Sequence, residues 1–310
     1  MATNSEPSLS NVAAMKETFI ANAIHWMKDG KLINNYKFIV YQCEEALSNE
    51  IDISTDDNIV YTVKIRDVES VYRTYEKTYK TLDAIDSICN FDWFVRINIS
   101  TFLNMRLLDY AILKLDKNCI YANALNSYVN ADSPYVNDLY PRGDMFIFSD
   151  DIRKLILKHG TRFLDCDSKL KGRIELPHVD DCMIGLALID SLGKNYYEHL
   201  KMVKYNFIPY APKDVSSDMF NLLCIGSRVK TIPPGEACSG YSWDDNSWRR
   251  MDCEKMRMLM RFLNESDIDY SHIEEYNIIP KRENMRPTLF IRSDNANIFD
   301  VFHKILKAKR

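Results

Sequence analysis

Short runs of β-branched and aromatic residues alternate with longer segments of helical period, and this alternation limits the possible folds more than any other feature of the chain. Phe38-Ile39-Val40-Tyr41, Ile59-Val60-Tyr61-Thr62-Val63 and Phe91-Asp92-Trp93-Phe94-Val95 read as strands. Between the second and third, Val68, Val71, Tyr75, Tyr79, Leu82 and Ile85 share one face of a helix from about Asp67 to Ile88. Further helices are predicted over Val12 to Met27 (stopped by Asp29-Gly30), over roughly 101 to 115, after Pro177, and over Met251 to Leu263. Strands and helices alternating in this way predict a single α/β domain. Its sheet is expected to be mostly parallel and flanked by helices on both faces, with an N-terminal helical extension behind a polar, flexible tail at 1–11.

Composition narrows the function. The chain has 310 residues and 46% hydrophobic content, enough for a sizeable core. Forty Lys and Arg stand against 44 Asp and Glu, a net charge of -4, which argues against a nucleic-acid partner. None of the nine glycines forms a G-x-G pair, so the dinucleotide fingerprint and the Walker phosphate loop are both missing. The eight cysteines lie at least 14 positions apart, with no C-x-x-C spacing for zinc, and read as reduced core thiols. No stretch reaches the 18 apolar residues of a membrane span, and the N-terminus shows no basic region followed by an apolar run. These features predict a cytoplasmic protein, and they leave both a monomer and a homodimer open.

Four polar clusters could carry chemistry. Beyond the strand ending at Val95, Arg96, Asn98 and Ser100 alternate, so an extended chain would project all three to one side, suited to a phosphate or sugar hydroxyl. Ser100 or Thr101 could instead cap the following helix. Asp180 and Asp181 stand at the start of an apolar helix; Asp180 suits an N-cap, and a second carboxylate facing a cleft is a candidate general base. Tyr140 to Ser149 reads as a turn leading into a buried strand, with Ser149-Asp150-Asp151 capping the next helix. Arg228 and Lys230 fall on one side of a strand, as a solvated face or as a diphosphate clamp.

Taken in order, these clusters resemble the motifs of β-1,3-galactosyltransferases and fringe glycosyltransferases. Trp93 to Asn104 resembles the metal-binding motif W-hydrophobic-hydrophobic-K-x-D-D-D-x-F-V-N, and Lys80-Thr81 resembles the Lys-Thr closing the preceding helix. Gly143 to Ser149 resembles the glycine-rich strand, and Asp180-Asp181-Cys182-Met183-Ile184-Gly185 resembles the (Glu/Asp)-Asp-Val/Cys-x-hydrophobic-Gly motif. The resemblance spans roughly residues 59 to 192. It implies a GT-A fold, with a nucleotide-sugar half at about 31–115 and an acceptor half at about 116–310. It also implies an inverting transfer from a UDP-sugar (galactose, xylose, GlcNAc or glucose) to a glycan or glycoprotein acceptor. Asp181 takes the position of the family's general base. Gln42, Lys80, Arg96, Asn98, Ser100, Arg228 and Lys230 would bind the nucleotide-sugar, and Asp144, Asp180 and Trp243 the acceptor.

One departure changes the expected chemistry. The family's three aspartates fall on Asn98, Ile99 and Ser100, which offer no carboxylate to Mn²⁺ or Mg²⁺. The chain is therefore expected to require no metal, or to be only weakly stimulated by Mn²⁺ or Mg²⁺, the leaving diphosphate being balanced by Lys80, Arg96, Arg228 and Lys230. Lacking a membrane anchor, it resembles the cytoplasmic relatives in bacteria and large DNA viruses. Two alternatives share the cleft: a retaining GT-A transferase in which Asp181 is not a base, and an inactive homologue that only binds UDP-sugar or glycan.

Overall fold

The computed structural model describes residues 8–55, 57–67, 74–123, 125–127, 138–164, 180–202, 225–228 and 246–265. The chain begins with α1 (Ser8–Met15), a π-type segment (Lys16–Ile20) and α2 (Ala21–Lys28). The expected continuous helix is thus interrupted: Thr18 adopts φ -106°, ψ -108°, and its hydroxyl donates to the Ala14 carbonyl. Helix α1 also starts inside the stretch read as a flexible tail. Asn11, fully buried, donates from Nδ2 to the Ile99 carbonyl at 3.2 Å and so ties the first turns to the body of the fold.

Strands β1 (Phe38–Cys43), β2 (Ile51–Thr55) and β3 (Val60–Ile65) follow, then α3 (Thr74–Ala84), β4 (Trp93–Ile97), β5 (Thr101–Leu103) and α4 (Met105–Ile112). Next come β6 (Ile120–Ala122), β7 (Leu125–Ser127), β8 (Leu139–Pro141), β9 (Met145–Ser149), α5 (Asp150–Gly160), α6 (Asp180–Leu192), α7 (Tyr196–His199), β10 (Leu200–Met202), β11 (Gly226–Arg228) and α8 (Asn246–Glu265). The helix expected over 101 to 115 is shorter, because residues 101–103 form a strand and the cap is Asn104, whose Oδ1 accepts from the Leu107 N–H at 3.1 Å. At α5, Ser149 holds the cap position but its hydroxyl accepts from the Asn118 N–H instead.

The mixed α/β class holds, but the mostly parallel single sheet does not. Among the described residues there are four sheets, with strand orders β1-β3-β2, β10-β6-β9-β4, β11-β5 and β7-β8. Only β1–β3 and β10–β6 pair in parallel; the other five ladders are antiparallel. Two of these ladders belong to β9, which enters from the turn after β8 and lies antiparallel between β4 and β6.

The central strands are clad on both sides. Met145 and Ile147 pack into a core with α2, α4 and α8 residues such as Trp26, Leu108 and Leu259. Phe146 and Phe148 face a second core with Leu82 of α3, Ile152 of α5 and Ile184 of α6. A strand covered on both faces reads as a near-continuous apolar run, and Met145 to Phe148 are all apolar and buried, with the buried Ser149 hydroxyl at the strand's end satisfied by the Asn118 N–H. No described helix is long and apolar enough to cross a membrane.

Helix α5 ends where Tyr75 of α3 reaches it: the hydroxyl donates to the Gly160 carbonyl at 3.0 Å. A Cβ at position 160 would stand 2.0 Å from that hydroxyl oxygen and 3.4 Å from the ring carbon that bears it. Gly160→Ala is therefore expected to cost about 1–3 kcal/mol in urea unfolding. Adding Tyr75→Phe should recover part of the loss, because it removes the atom in conflict.

Candidate functional site

Asp180 and Asp181 occupy the first turn of α6, where unpaired N–H groups and the helix dipole favour negative charge. Both are buried, and their partners differ. Asp180 forms an ion pair with Nη2 of Arg96 from β4, the two side chains being 1% and 6% exposed. Its Oδ2 also accepts from the Thr78 hydroxyl at 3.0 Å, and its N–H donates to the Thr74 hydroxyl at 3.1 Å. Thr74 and Thr78 stand one turn apart on α3, so a single face of that helix supplies both contacts. The Tyr41 hydroxyl of β1 lies 3.3 Å from Thr78 Oγ1, and the buried Lys77 ammonium sits 6.0 Å from the Tyr41 ring centroid. Asp180 is thus the counter-charge of a buried arginine, not a free capping or acceptor-binding group.

Asp181 is held by backbone. Its Oδ2 accepts from the Gly143 N–H and its Oδ1 from the Cys182 N–H, each at 2.8 Å. The Gly143 carbonyl in turn accepts from Arg96 Nη1. Position 143 therefore touches both the base candidate and the arginine, and a Cβ there would lie 2.8 Å from Asp181 Oδ2 and 3.3 Å from Arg96 Nη1. Only glycine admits this approach.

Burial, reinforced by the neighbouring Asp180 charge, pushes the Asp181 carboxyl up to about 6; Arg96 and the two N–H bonds restrain the rise. For Arg96, burial penalises the charge, but the Asp180 carboxylate, followed by Tyr41 and Asp181, outweighs that penalty and holds its proton above the ordinary value.

The remaining sequence candidates separate. Arg96, Asn98 and Ser100 do not project together, because the chain turns after β4: the Thr101 N–H donates to the Asn98 carbonyl at 3.0 Å. Asn98 Oδ1 accepts from the Ser100 N–H, and the Ser100 hydroxyl donates to Asp252 of α8 at 3.2 Å. Ile99 is buried and its carbonyl serves Asn11. These three residues brace the turn against α1 and α8 and do not fit the divalent cation of the resembled family. Among the described residues, no three His, Cys, Asp or Glu side chains converge in a way that could hold a metal ion.

Asp144 is bound in two-pronged fashion by Arg142, at 2.7 and 2.6 Å. Lys80 pairs with Glu76 at 2.9 Å and Glu50 at 3.1 Å. Gln42 follows Tyr41 in β1 and so points to the opposite face of the strand. Arg228 pairs through its backbone with Thr101 beside the turn, while Lys230 and Trp243 lie outside the described residues.

No protein-family model matches the chain, and no curated protein is significantly similar to it. The site therefore rests on its own geometry. Sequence reasoning overlooked Tyr41, Thr74, Thr78 and the Arg142–Asp144 pair. The available signal was the threonine spacing of four on a helix, which puts two hydroxyls on one face.

Because the folded carboxyl of Asp181 binds its proton more tightly than the usual value near 3.8, the folded chain holds more protons than the unfolded chain between about pH 4 and 6. Stability from this group is complete below that window and declines as pH rises through about 6. Denaturant unfolding should show wild type losing on the order of 3 kcal/mol relative to Asp181→Asn between pH 4 and pH 8.

Proposed function

We propose that the chain is an inverting glycosyltransferase of GT-A type that moves a sugar from a UDP-sugar to a hydroxyl of a glycan or glycoprotein. Asp181 is the general base in this reading. The supporting observation is a carboxylate at the mouth of a helix, oriented by the N–H groups of Gly143 and Cys182, with a proton affinity near neutrality. A base poised close to the working pH is half ready to accept a proton and still basic enough to pull one. It would take the proton of the acceptor hydroxyl as that oxygen attacks the anomeric carbon from the side opposite the departing UDP. The displacement inverts that centre through an oxocarbenium-like state.

The ion pairs revise the expected donor site. Arg96 is committed to Asp180, and Lys80 to Glu50 and Glu76, so neither is a ready counter-charge for a diphosphate. Arg228 and Lys230 keep that role in the proposal. The turn at 98–100 supplies no carboxylate for a cation, and the transfer is proposed to run without one. The mutual neutralisation of Arg96 and Asp180 also favours a second reading, an inactive homologue that binds a UDP-sugar without transfer.

Turnover with a panel of UDP-sugars, with the product's anomeric configuration read by NMR, tests the proposal. Asp181→Asn should lower turnover by about 10²–10⁴-fold, while thermal stabilisation by the UDP-sugar persists. Wild-type kcat/KM should rise with pH through about 6, as Asp181 loses its proton. Full turnover in Asp181→Asn would overturn the assignment of the base, and stabilisation without any turnover in wild type would select the second reading. Excess EDTA is expected to leave the rate unchanged; loss restored by Mn²⁺ would refute the metal-free transfer.

A further inference from the structure

The connection from β8 to β9 consists of Arg142, Gly143 and Asp144, and it passes from one sheet to another. Its middle residue donates an N–H to Asp181 Oδ2 at 2.8 Å. Glycine is required there, because a Cβ would collide with that carboxylate. Glycine also has the widest backbone freedom, so its N–H stays aimed at Oδ2 only if something else holds the turn.

The turn is held from two sides. On one, the Gly143 carbonyl accepts from Arg96 Nη1, and the Asp144 carbonyl accepts from the Asn98 N–H at 3.1 Å and the Thr101 hydroxyl at 2.8 Å. On the other, the Arg142 guanidinium reaches past the glycine and grips Asp144 through Nε at 2.7 Å and Nη2 at 2.6 Å. The peptide plane that carries the Gly143 N–H lies between residues 142 and 143, so this second hold governs its tilt. Exposed ion pairs contribute little, but the Asp144 side chain is only 6% exposed and the contact is forked. Arg142 also lies within the field of Asp181: Asp144, and behind it Asp181, hold the Arg142 proton above its ordinary value against the cost of burial.

We propose that the Arg142–Asp144 pair positions Asp181: by clamping the two residues that flank Gly143, it aims the Gly143 N–H at Oδ2 and keeps the carboxylate in place. The pair touches no reacting atom and acts through the glycine. The other charges near the site, among the described residues, are engaged elsewhere. Asp180 and Arg96 neutralise each other, with the Tyr41 hydroxyl and the Lys77 ammonium beside them, and Arg153 of α5 is paired with Asp86 and Asp150. A role for the clamp in sugar transfer rests on Asp181 being the base; the clamp itself does not.

Arg142-Gly143 is the single Arg-Gly step in the sequence. Labelling arginine carbonyls with ¹³C and glycine with ¹⁵N therefore leaves one amide signal in a carbonyl-edited NMR spectrum of the full wild-type chain, and its proton shift follows the charge on Asp181. That signal should titrate with a midpoint of about 6. For the variants, in which the Gly143 amide is assigned through other labels, Arg142→Gln removes the clamp and the cation and leaves Asp144 unbalanced. All three changes favour the protonated carboxyl, so the midpoint should rise by about one pH unit or more. Arg142→Lys keeps the charge but cannot fork, and serves alone should the glutamine variant not fold. Its midpoint should still rise, by about half a pH unit, and its Gly143 amide should exchange with solvent about tenfold faster or more. An unchanged midpoint and exchange rate in Arg142→Lys would reduce the pair to a charge effect and overturn the proposal. So would a wild-type signal that does not titrate near pH 6. If the NMR midpoint of Arg142→Lys moves and the acid limb of kcat/KM moves with it, clamp and base both stand; if only the NMR midpoint moves, the clamp stands and the base assignment falls.

Discussion

The buried pairing of Arg96 with Asp180 is the constraint around which the site is arranged. Moving a guanidinium and a carboxylate out of water is costly, and their attraction repays the cost only when geometry and further hydrogen bonds are good. The chain meets that condition in part: β4 supplies the cation, α6 the anion, Thr78 of α3 a hydroxyl and the turn before β9 a carbonyl, while Arg96 Nε and Asp180 Oδ1 stay buried without a partner. Loss of one partner would leave the other charge buried alone, a penalty of roughly 3–5 kcal/mol. The pair thus holds strand and helix together at the point where Asp181 emerges.

Two adjacent carboxylates acquire different characters from this arrangement. Asp180 faces the arginine and the threonines, whereas Asp181 faces backbone N–H groups and the field of its neighbour. Neighbouring groups with divergent environments are how proteins separate a structural charge from a reactive one. The same separation explains why a cation that looked free in the sequence is spoken for in the fold.

Much of the architecture was legible in the sequence because periodicity reports burial. The run at 145–148 predicted a buried strand, and the run after Asp180 predicted an apolar helix; both are present. Strand direction was not legible, since a strand buried on both faces has the same pattern whether its neighbours run parallel or antiparallel. β2 was overlooked although Ile51-Asp52-Ile53-Ser54 alternates as an edge strand should. The cap at Asn104 was misplaced because Ser100, Thr101 and Asn104 are all capable caps, and only the turn and short strand between them decide which one serves. Within the site, the two aspartates at the helix start were visible, but the partner of Asp180 lies 84 positions away, and no local pattern encodes that contact.

Gly143 shows what this arrangement implies for variation. A residue with no side chain sits against both the arginine and the reactive carboxylate, so its chemistry is entirely that of its main chain. Selection at such a position acts on absence: what matters is the hydrogen atom that keeps the space clear. In a population of variants, this position should therefore drift less than many of the charged residues around it, and a related chain could be recognised by its emptiness there before any carboxylate is compared.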